Sequence, residues 1–547
     1  MIQEFYSHSM DFVQSIVNSL GSLNDSEKLF GASILILLFS LYLIYDKLLN
    51  ILERFVKGTE YYISEGVNAG PYAKRNFTDE MAKIEKDLYH SIHESDTTKI
   101  CFKVLPENGM STDKLIDLTG AYNKLETPKY LEGKVSGAVF SSESNEEEMK
   151  VYRAVFEKFA WSNPVWPKLY PGVRKMEAEV VRMTCDLFHG DEETCGTMTT
   201  CGSMSIILAC LAHRNRAYSR GIKKPEIILP SSADNSFIKA SVVINLTVIK
   251  IPVDPKTFKV PIDKVRKAIN SNTALIVASA PNYPYGTIDD IEALGELAMK
   301  HDIPLHIDAC LGGFLLPFVD CQEYGIPKFD FSVSGVTSIS AATHKYGLAP
   351  KGSSVVCYRN KTYLHHQYFC EFDWHGGIHA SSTLEGSRAG LNIALCWAAM
   401  LFYGKNNYVE KSKAIIETTR KIRDGIAKIP QLRLQGESDI CIISFTSDII
   451  DIHRFQELMS KRGRQLTNLQ FPSGVHLMVT LNHTKPGVAE KLLEDIQDVI
   501  ALIVKTPNQE TNEAITFRGI SLKISNGLIV RDVTNAYLDA CYSLPNF

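Results

Sequence analysis

The most apolar stretch of the chain comes early. Residues 29–45 read LFGASILILLFSLYLIY, an uncharged run without the polar face that a buried core helix, the other reading of such a run, normally carries. Its length suffices to span a bilayer as a helix. Residues 1–28 are polar and mixed and lack the basic n-region and small-residue cleavage site of a secretory signal peptide. Asp25, Glu27 and Lys28 precede the run, whereas Lys47, Arg54, Lys57, Lys74 and Arg75 follow it. The positive-inside rule therefore predicts one transmembrane helix over residues 29–48, with everything after it in the cytosol.

Residues 49–133 read as a polar, helix-rich connector punctuated by Pro71, Pro106 and Gly109. Glu146, Glu147 and Glu148 then open a helical stretch that runs to Phe159, an acidic first turn suited to the positive end of a helix. Short β-branched runs follow at 226–229, 247–251, 274–278 and 305–307, alternating with helix-period segments such as 203–216 and 291–300. That alternation predicts an α/β domain over residues 134–407, a mostly parallel sheet with helices on both faces. Ligands then belong at the carboxyl ends of its strands. From about Tyr408 the pattern becomes a helix, a strand at 440–445, a helix from Asp451, a strand at 475–479 and a long amphipathic helix from Val488. Residues 408–547 thus read as a smaller α+β lobe, with a tail after Thr506 that follows no clear period.

Composition narrows the class. With 547 residues, 45% of them hydrophobic, and a net charge of -4, the chain can build one large two-lobed unit or two to three domains. Nothing in that charge suggests a nucleic-acid partner. The 12 cysteines are scattered singly, with neither metal-site spacing nor the clustering of a disulfide framework, which points to a reducing environment for the body.

The chemistry gathers around residues 338–358, SISAATHKYGLAPKGSSVVCY. A short apolar strand runs into Thr343, His344 and Lys345, a Gly/Pro turn follows, and a second β-branched strand begins. A lysine at a strand end can be a solvated turn residue or an amine nucleophile. Upstream, residues 304–313 (PLHIDACLGG) read as a buried parallel strand ending in Asp308 and then glycines. An acid there is poorly hydrated unless it meets a cation. Pyridoxal 5'-phosphate (PLP) offers such a cation in its protonated ring nitrogen, and an Asp on one strand with an amine-bearing Lys on a later one is the machinery that this cofactor uses. Residues 199–204 (TTCGSM) form a turn feeding a helix, where backbone N–H groups can take a phosphate; the same turn serves equally as an ordinary N-cap.

Several long motifs stand in one order: FAWSNP (159–164), RKMEAEVVRM (174–183), HIDACLGGF (306–314), GVTSIS (335–340), THKYG (343–347), APKGSS (349–354), DWHGGI (373–378) and LQFPSGVH (469–476). With them the chain, from about Lys134 onward, resembles the sphingosine-1-phosphate lyases, fold-type-I PLP enzymes related to the amino-acid decarboxylases. The resemblance implies a homodimer with sites at its interface, anchored in the endoplasmic reticulum membrane with residues 1–28 luminal. It implies PLP-dependent retro-aldol cleavage of a phosphorylated sphingoid base to a long-chain aldehyde and phosphoethanolamine. Lys345 would carry PLP and move protons, Asp308 would hold the ring nitrogen, and His344 and Ala309 would lie against the cofactor. Gly202 and Ser203 would cradle its phosphate, Asp234 stands at the ring-stacking position, and Lys351 would meet the phosphate of the substrate.

The departures from the family pattern cluster at the site. The usual Ser-Gly-Gly-Thr-Glu-Ser cradle is here Thr200, Cys201, Gly202, Ser203, Met204 and Ser205, and the stacking histidine is Asp234, which has no π face. Ala342 replaces an Asp, Phe140 a Tyr, Trp166 and Tyr285 each a His, and His379 a Tyr. Each lost hydrogen-bonding group at a buried site can cost ~1–3 kcal/mol. Two readings follow: a lyase with a remodelled pocket, or a lyase paralogue that binds and regulates a partner. An aromatic amino-acid decarboxylase is a third, set against by the anchor and the long motifs.

Overall fold

The structure, a computed structural model, describes residues 71–98, 100–125, 128–141, 146–437, 440–507 and 527–545. The expected luminal segment and transmembrane helix lie outside them. Among the described residues no helix is long and apolar enough to cross a membrane. The chain divides into two compact units, one of Met1–Ser111 with Ala514–Phe547 and one of Thr112–Glu513.

In the smaller unit, helix α1 (Pro71–His93) packs on α12 (Gly527–Tyr542), burying Met81, Leu88 and Val533. The Tyr89 hydroxyl donates to the Leu544 carbonyl at 3.0 Å. The end of the chain therefore belongs with α1, not with the C-terminal lobe in which the sequence pattern had grouped it.

The larger unit opens with helices α2 (Thr112–Asn123), α3 (Glu146–Phe159) and α4 (Pro171–Leu187). A proline at the start of α4 suits a position whose N–H would have no helical partner. Strands and helices then alternate: β1 (Cys195–Thr199), α5 (Gly202–Ser219), β2 (Glu226–Pro230), α6 (Ser236–Val243), β3 (Thr247–Ile251), α7 (Ile262–Ala268), β4 (Thr273–Ser279), α8 (Ile291–Lys300), β5 (Leu305–Asp308), β6 (Val336–Ala341) and β7 (Ser354–Tyr358). The seven strands form one sheet in the order β1-β7-β6-β5-β4-β2-β3. β7 is antiparallel to both its neighbours and the remaining pairs are parallel. The carboxyl ends of β1, β4, β5 and β6 consequently share one edge. β4, β5, β6 and β7 are buried along their whole length, which is why they read as apolar runs rather than alternating ones.

A two-stranded ribbon, β8 (Phe369–Glu371) with β9 (His379–Ser381), precedes the long helix α9 (Gly390–Ala427). Gly404 breaks α9 with a backbone (φ 60°, ψ 170°) that is not helical and that a side chain would resist. Before the break Ala394 and Ala398 pack with Val155 of α3. The boundary expected at residues 407–408 falls inside this helix. The C-terminal lobe is a four-stranded antiparallel sheet in the order β10-β11-β13-β12, from β10 (Arg433–Leu434), β11 (Ile442–Thr446), β12 (Thr467–Leu469) and β13 (Gly474–Met478). Helices α10 (Ile452–Lys461) and α11 (Val488–Lys505) complete it. Asp451 caps α10 by accepting the N–H groups of His453 and Arg454.

Candidate active site

Asp308 ends β5 and is buried. Its Oδ1 accepts the Cys310 N–H at 3.0 Å and the Ser340 hydroxyl at 3.3 Å. The carboxylate forms no ion pair among the described residues. Burial pushes this carboxyl up, and the charge of Asp234 pushes the same way; the Cys310 bonds and the Lys345 charge pull it down.

Lys345 follows β6 by four residues, in a turn closed by Lys345 N–H to the Ala342 carbonyl (3.3 Å) and Ala349 N–H to the Thr343 carbonyl (3.2 Å). Gly347 is required there, since a Cβ would stand 2.4 Å from the Thr343 carbonyl oxygen. The Thr343 hydroxyl donates to Ser353 Oγ at 2.6 Å, and His344 Nδ1–H donates to the Ser353 carbonyl at 2.5 Å. Burial lowers the His344 imidazole to about 4, with the Lys351 and Lys345 charges adding to the effect, so it is neutral near pH 7. The Lys345 ammonium itself has no hydrogen-bond or ion-pair partner among the described residues.

Between β1 and α5 the cradle residues take shape. Cys201, at the N-cap, is extended and provides no side-chain cap, so the first turn of α5 keeps its N–H groups for another acceptor. The turn is held from beneath by Thr199 Oγ1 against Ser205 Oγ (2.7 Å) and Ser205 Oγ against Ser354 Oγ (2.9 Å). Ser203 Oγ meets Ser236 Oγ at 2.7 Å, which ties the cradle to α6. Ala309 is buried directly after Asp308, its N–H bonded to the Ser340 carbonyl at 2.9 Å. Asp234 is partly buried just before α6 and accepts the Ser236 N–H at 2.8 Å.

Lys351 is carried by the turn after Lys345, its Nζ 5.3 Å from the centre of the Phe140 ring. Burial and the Lys345 charge lower its ammonium from the ordinary value. Phe140 is itself buried, edge-on to Tyr346 at 4.9 Å. Of the other altered positions, Trp166 is exposed, Tyr285 is buried with its hydroxyl 3.4 Å from the Phe471 carbonyl, and His379 lies on β9, its ring 6.0 Å from that of Trp374.

Several supporting residues escaped the sequence reading. Arg388 grips Glu177 of α4 with two nitrogens, at 3.0 and 2.5 Å, and reaches the Met198 carbonyl of β1 at 3.1 Å. The Thr200 hydroxyl donates to Glu385 at 3.0 Å. Ser338, Ser340, His306 and His213 lie behind Asp308. The only signal for these serines was a polar residue at alternate positions of an otherwise apolar strand.

The residues fit PLP on three grounds: a buried carboxylate without an ion pair among the described residues, a lysine without one beyond the neighbouring strand, and an uncapped helix N-terminus on the same sheet edge. Residues 161–448 match the family described as the pyridoxal-dependent decarboxylase conserved domain. Fold and site thus define a PLP-dependent protein of the fold-type-I class. The chain is 42% identical over 477 residues to sphingosine-1-phosphate lyase of Drosophila melanogaster, a match covering 87% of both chains. It is 40% identical to sphingosine-1-phosphate lyase 1 of Rattus norvegicus over 474 residues, 86% of this chain and 83% of the relative. The solved sphingosine-1-phosphate lyase of Burkholderia pseudomallei is similar with a TM-score of 0.74 and 36% identity, over 82% of this chain and 99% of that one. The chain belongs to the sphingosine-1-phosphate lyase family.

Proposed function

We propose that this protein cleaves phosphorylated sphingoid bases to a long-chain aldehyde and phosphoethanolamine. The observation that carries the reading is the Asp308 carboxylate, buried at the end of β5 within reach of the Lys345 charge and without an ion pair among the described residues. Bound PLP supplies an electron sink for the pair left when the bond between the amine-bearing carbon and its hydroxylated neighbour breaks. Asp308 would hold the proton on the ring nitrogen and stay anionic in doing so. Lys345, once neutral, would be the amine that holds the cofactor, and it would give and receive protons at the reacting carbon. The first turn of α5 with Ser203 would hold the cofactor phosphate. Lys351 supplies positive charge to the substrate phosphate from a partly desolvated position, where that charge counts for more than in water.

The uncharged run at 29–45 with its basic flank supports a single membrane anchor, with the catalytic body facing the cytosol at the endoplasmic reticulum. Exposed Trp161, Trp166, Leu169, Phe372 and Ile378 support a homodimer that covers them. The deciding experiment loads the full chain with PLP and follows aldehyde release from sphingosine 1-phosphate beside a Lys345→Ala control. Release above that control is expected. Lys345-dependent PLP absorbance without release would move the protein to the regulatory reading.

A further inference from the structure

Behind Asp308 runs a line of buried polar groups that the reaction does not use. His213 Nε2, from α5, lies 2.9 Å from Ser338 Oγ. Ser338 Oγ lies 2.9 Å from His306 Nδ1, His306 Nε2 is 3.2 Å from Ser340 Oγ, and Ser340 Oγ reaches Asp308 Oδ1 at 3.3 Å. His306 and Asp308 point to the same face of β5, and the register sets them opposite Ser338 and Ser340 of β6. His213, Ser338, His306 and Ser340 are buried, with at most 1% of their surface exposed.

The direction of every proton in this line follows from one end. An ionised Asp308 only accepts, so the Ser340 hydroxyl donates to it and the Ser340 oxygen accepts from His306 Nε2–H. A neutral imidazole with Nε2–H has a bare Nδ1, which takes the Ser338 hydroxyl proton. The Ser338 oxygen then accepts from His213 Nε2–H. That leaves a lone pair rather than an N–H at His213 Nδ1, a buried nitrogen without a hydrogen-bond partner among the described residues. Only a protonated Asp308 could reverse the line, and the Cys310 N–H already donates to the same oxygen. The Cys310 thiol lies between the two, 3.6 Å from Ser340 Oγ and bonded also to the Asp308 carboxylate.

We propose that His213, Ser338, His306 and Ser340 form a one-way hydrogen-bond relay that keeps Asp308 anionic and, through it, the cofactor ring nitrogen protonated. The four are positioning residues. Burial holds His306 near 3 and His213 well below its ordinary value, so both imidazoles are neutral, as the relay requires. The groups facing Asp308 are Asp234, Cys310 and Lys345; those facing His213 are His306, Arg216 and His366. Asp234 opposes the anion, and the relay works against it.

The proposal rests on Asp308 being the partner of the ring nitrogen, and its test separates the two. The holoprotein is loaded with PLP labelled with ¹⁵N in the ring, and the nitrogen chemical shift is titrated against pH beside the PLP dissociation constant. Ser340→Ala is expected to lower the ring-nitrogen pKa by about one unit, the scale of one charge-assisted hydrogen bond, and Ser340→Thr, which keeps the hydroxyl, to restore it. A Ser340→Ala titration that superimposes on the parent, while Asp308→Asn shifts it, overturns the relay. No shift in Asp308→Asn overturns the assignment of Asp308 and the relay with it. Should Ser340→Ala fail to fold, Ser338→Ala is read in its place: a fall in the same direction supports the relay, and an unchanged curve overturns it.

Discussion

Gly202, at the start of α5, lies against the segment after β5. A Cβ there would lie 2.9 Å from Cys310 Sγ, 3.5 Å from Cys310 Cβ and 3.9 Å from Ala342 Cβ. Non-bonded heavy atoms settle at about 3.5–4.0 Å, so a Gly202→Ala methyl would overlap the sulfur by about half an ångström or more. Cys310 has little room to retreat, because it is buried and its N–H is tied to Asp308. The helix start recoils instead, and with it the N–H groups offered to the cofactor phosphate. Overpacking of this kind costs ~1–3 kcal/mol. Felt in cofactor binding, that is a loss of roughly tenfold to a hundredfold in PLP affinity. Gly202→Ala with Cys310→Ala removes the sulfur and leaves only ordinary contacts, so affinity should return to within about threefold, well under 1.4 kcal/mol. Equilibrium titration of the cofactor-free protein with PLP, followed by absorbance, measures both variants. An unchanged affinity in Gly202→Ala, or a loss that persists in the double variant, would refute the reasoning.

Two further outcomes follow from the same packing. Arg388→Met should destabilise the fold by ~3–5 kcal/mol, because it leaves the largely buried Glu177 carboxylate without its cation; adding Glu177→Gln should recover part of that in urea unfolding, and a single-variant loss below about 1 kcal/mol would show that the pair acts like a surface one. His306 titrates near 3 when folded, and His344 and His483 near 4, against about 6.5 for an unfolded chain. Below about pH 6.5 the unfolded chain therefore binds more protons, and stability must fall as pH drops toward 4. His306 alone accounts for ~2 kcal/mol of that loss by pH 5. His306→Gln should lose less between pH 7 and 5, and an equal slope would count against a buried neutral imidazole.

How much was legible depended on how local the cause was. Asp308 and Lys345 could be read because the first ends a short apolar strand and the second follows another by four residues, where a charge is conspicuous. β1 could not, since Cys195–Thr199 (CGTMT) has no alternation and owes its extension to pairing with β7, far along the chain. The first half of α9 was overlooked because its apolar residues face several layers at once and show no clear stripe. The tail was placed with the wrong neighbours for a similar reason: its partner, α1, lies at the opposite end of the sequence. Ser338 and Ser340 lie within a strand that reads as apolar, and only the fold brings His213 to them.

That pairing of α1 with α12 also imposes a schedule on synthesis. Met81 and Leu88 leave the ribosome among the first residues of the body, whereas Val533, which covers them, is among the last. Some 430 residues separate the two helices, and at about 5–20 residues per second the wait lasts roughly 20 to 90 s. Throughout that interval the catalytic body can close around its own sheet while α1 still has a bare apolar stripe. A nascent chain stalled before Gly527 would offer that stripe to chaperones, and the emergence of α12 is the event that hides it.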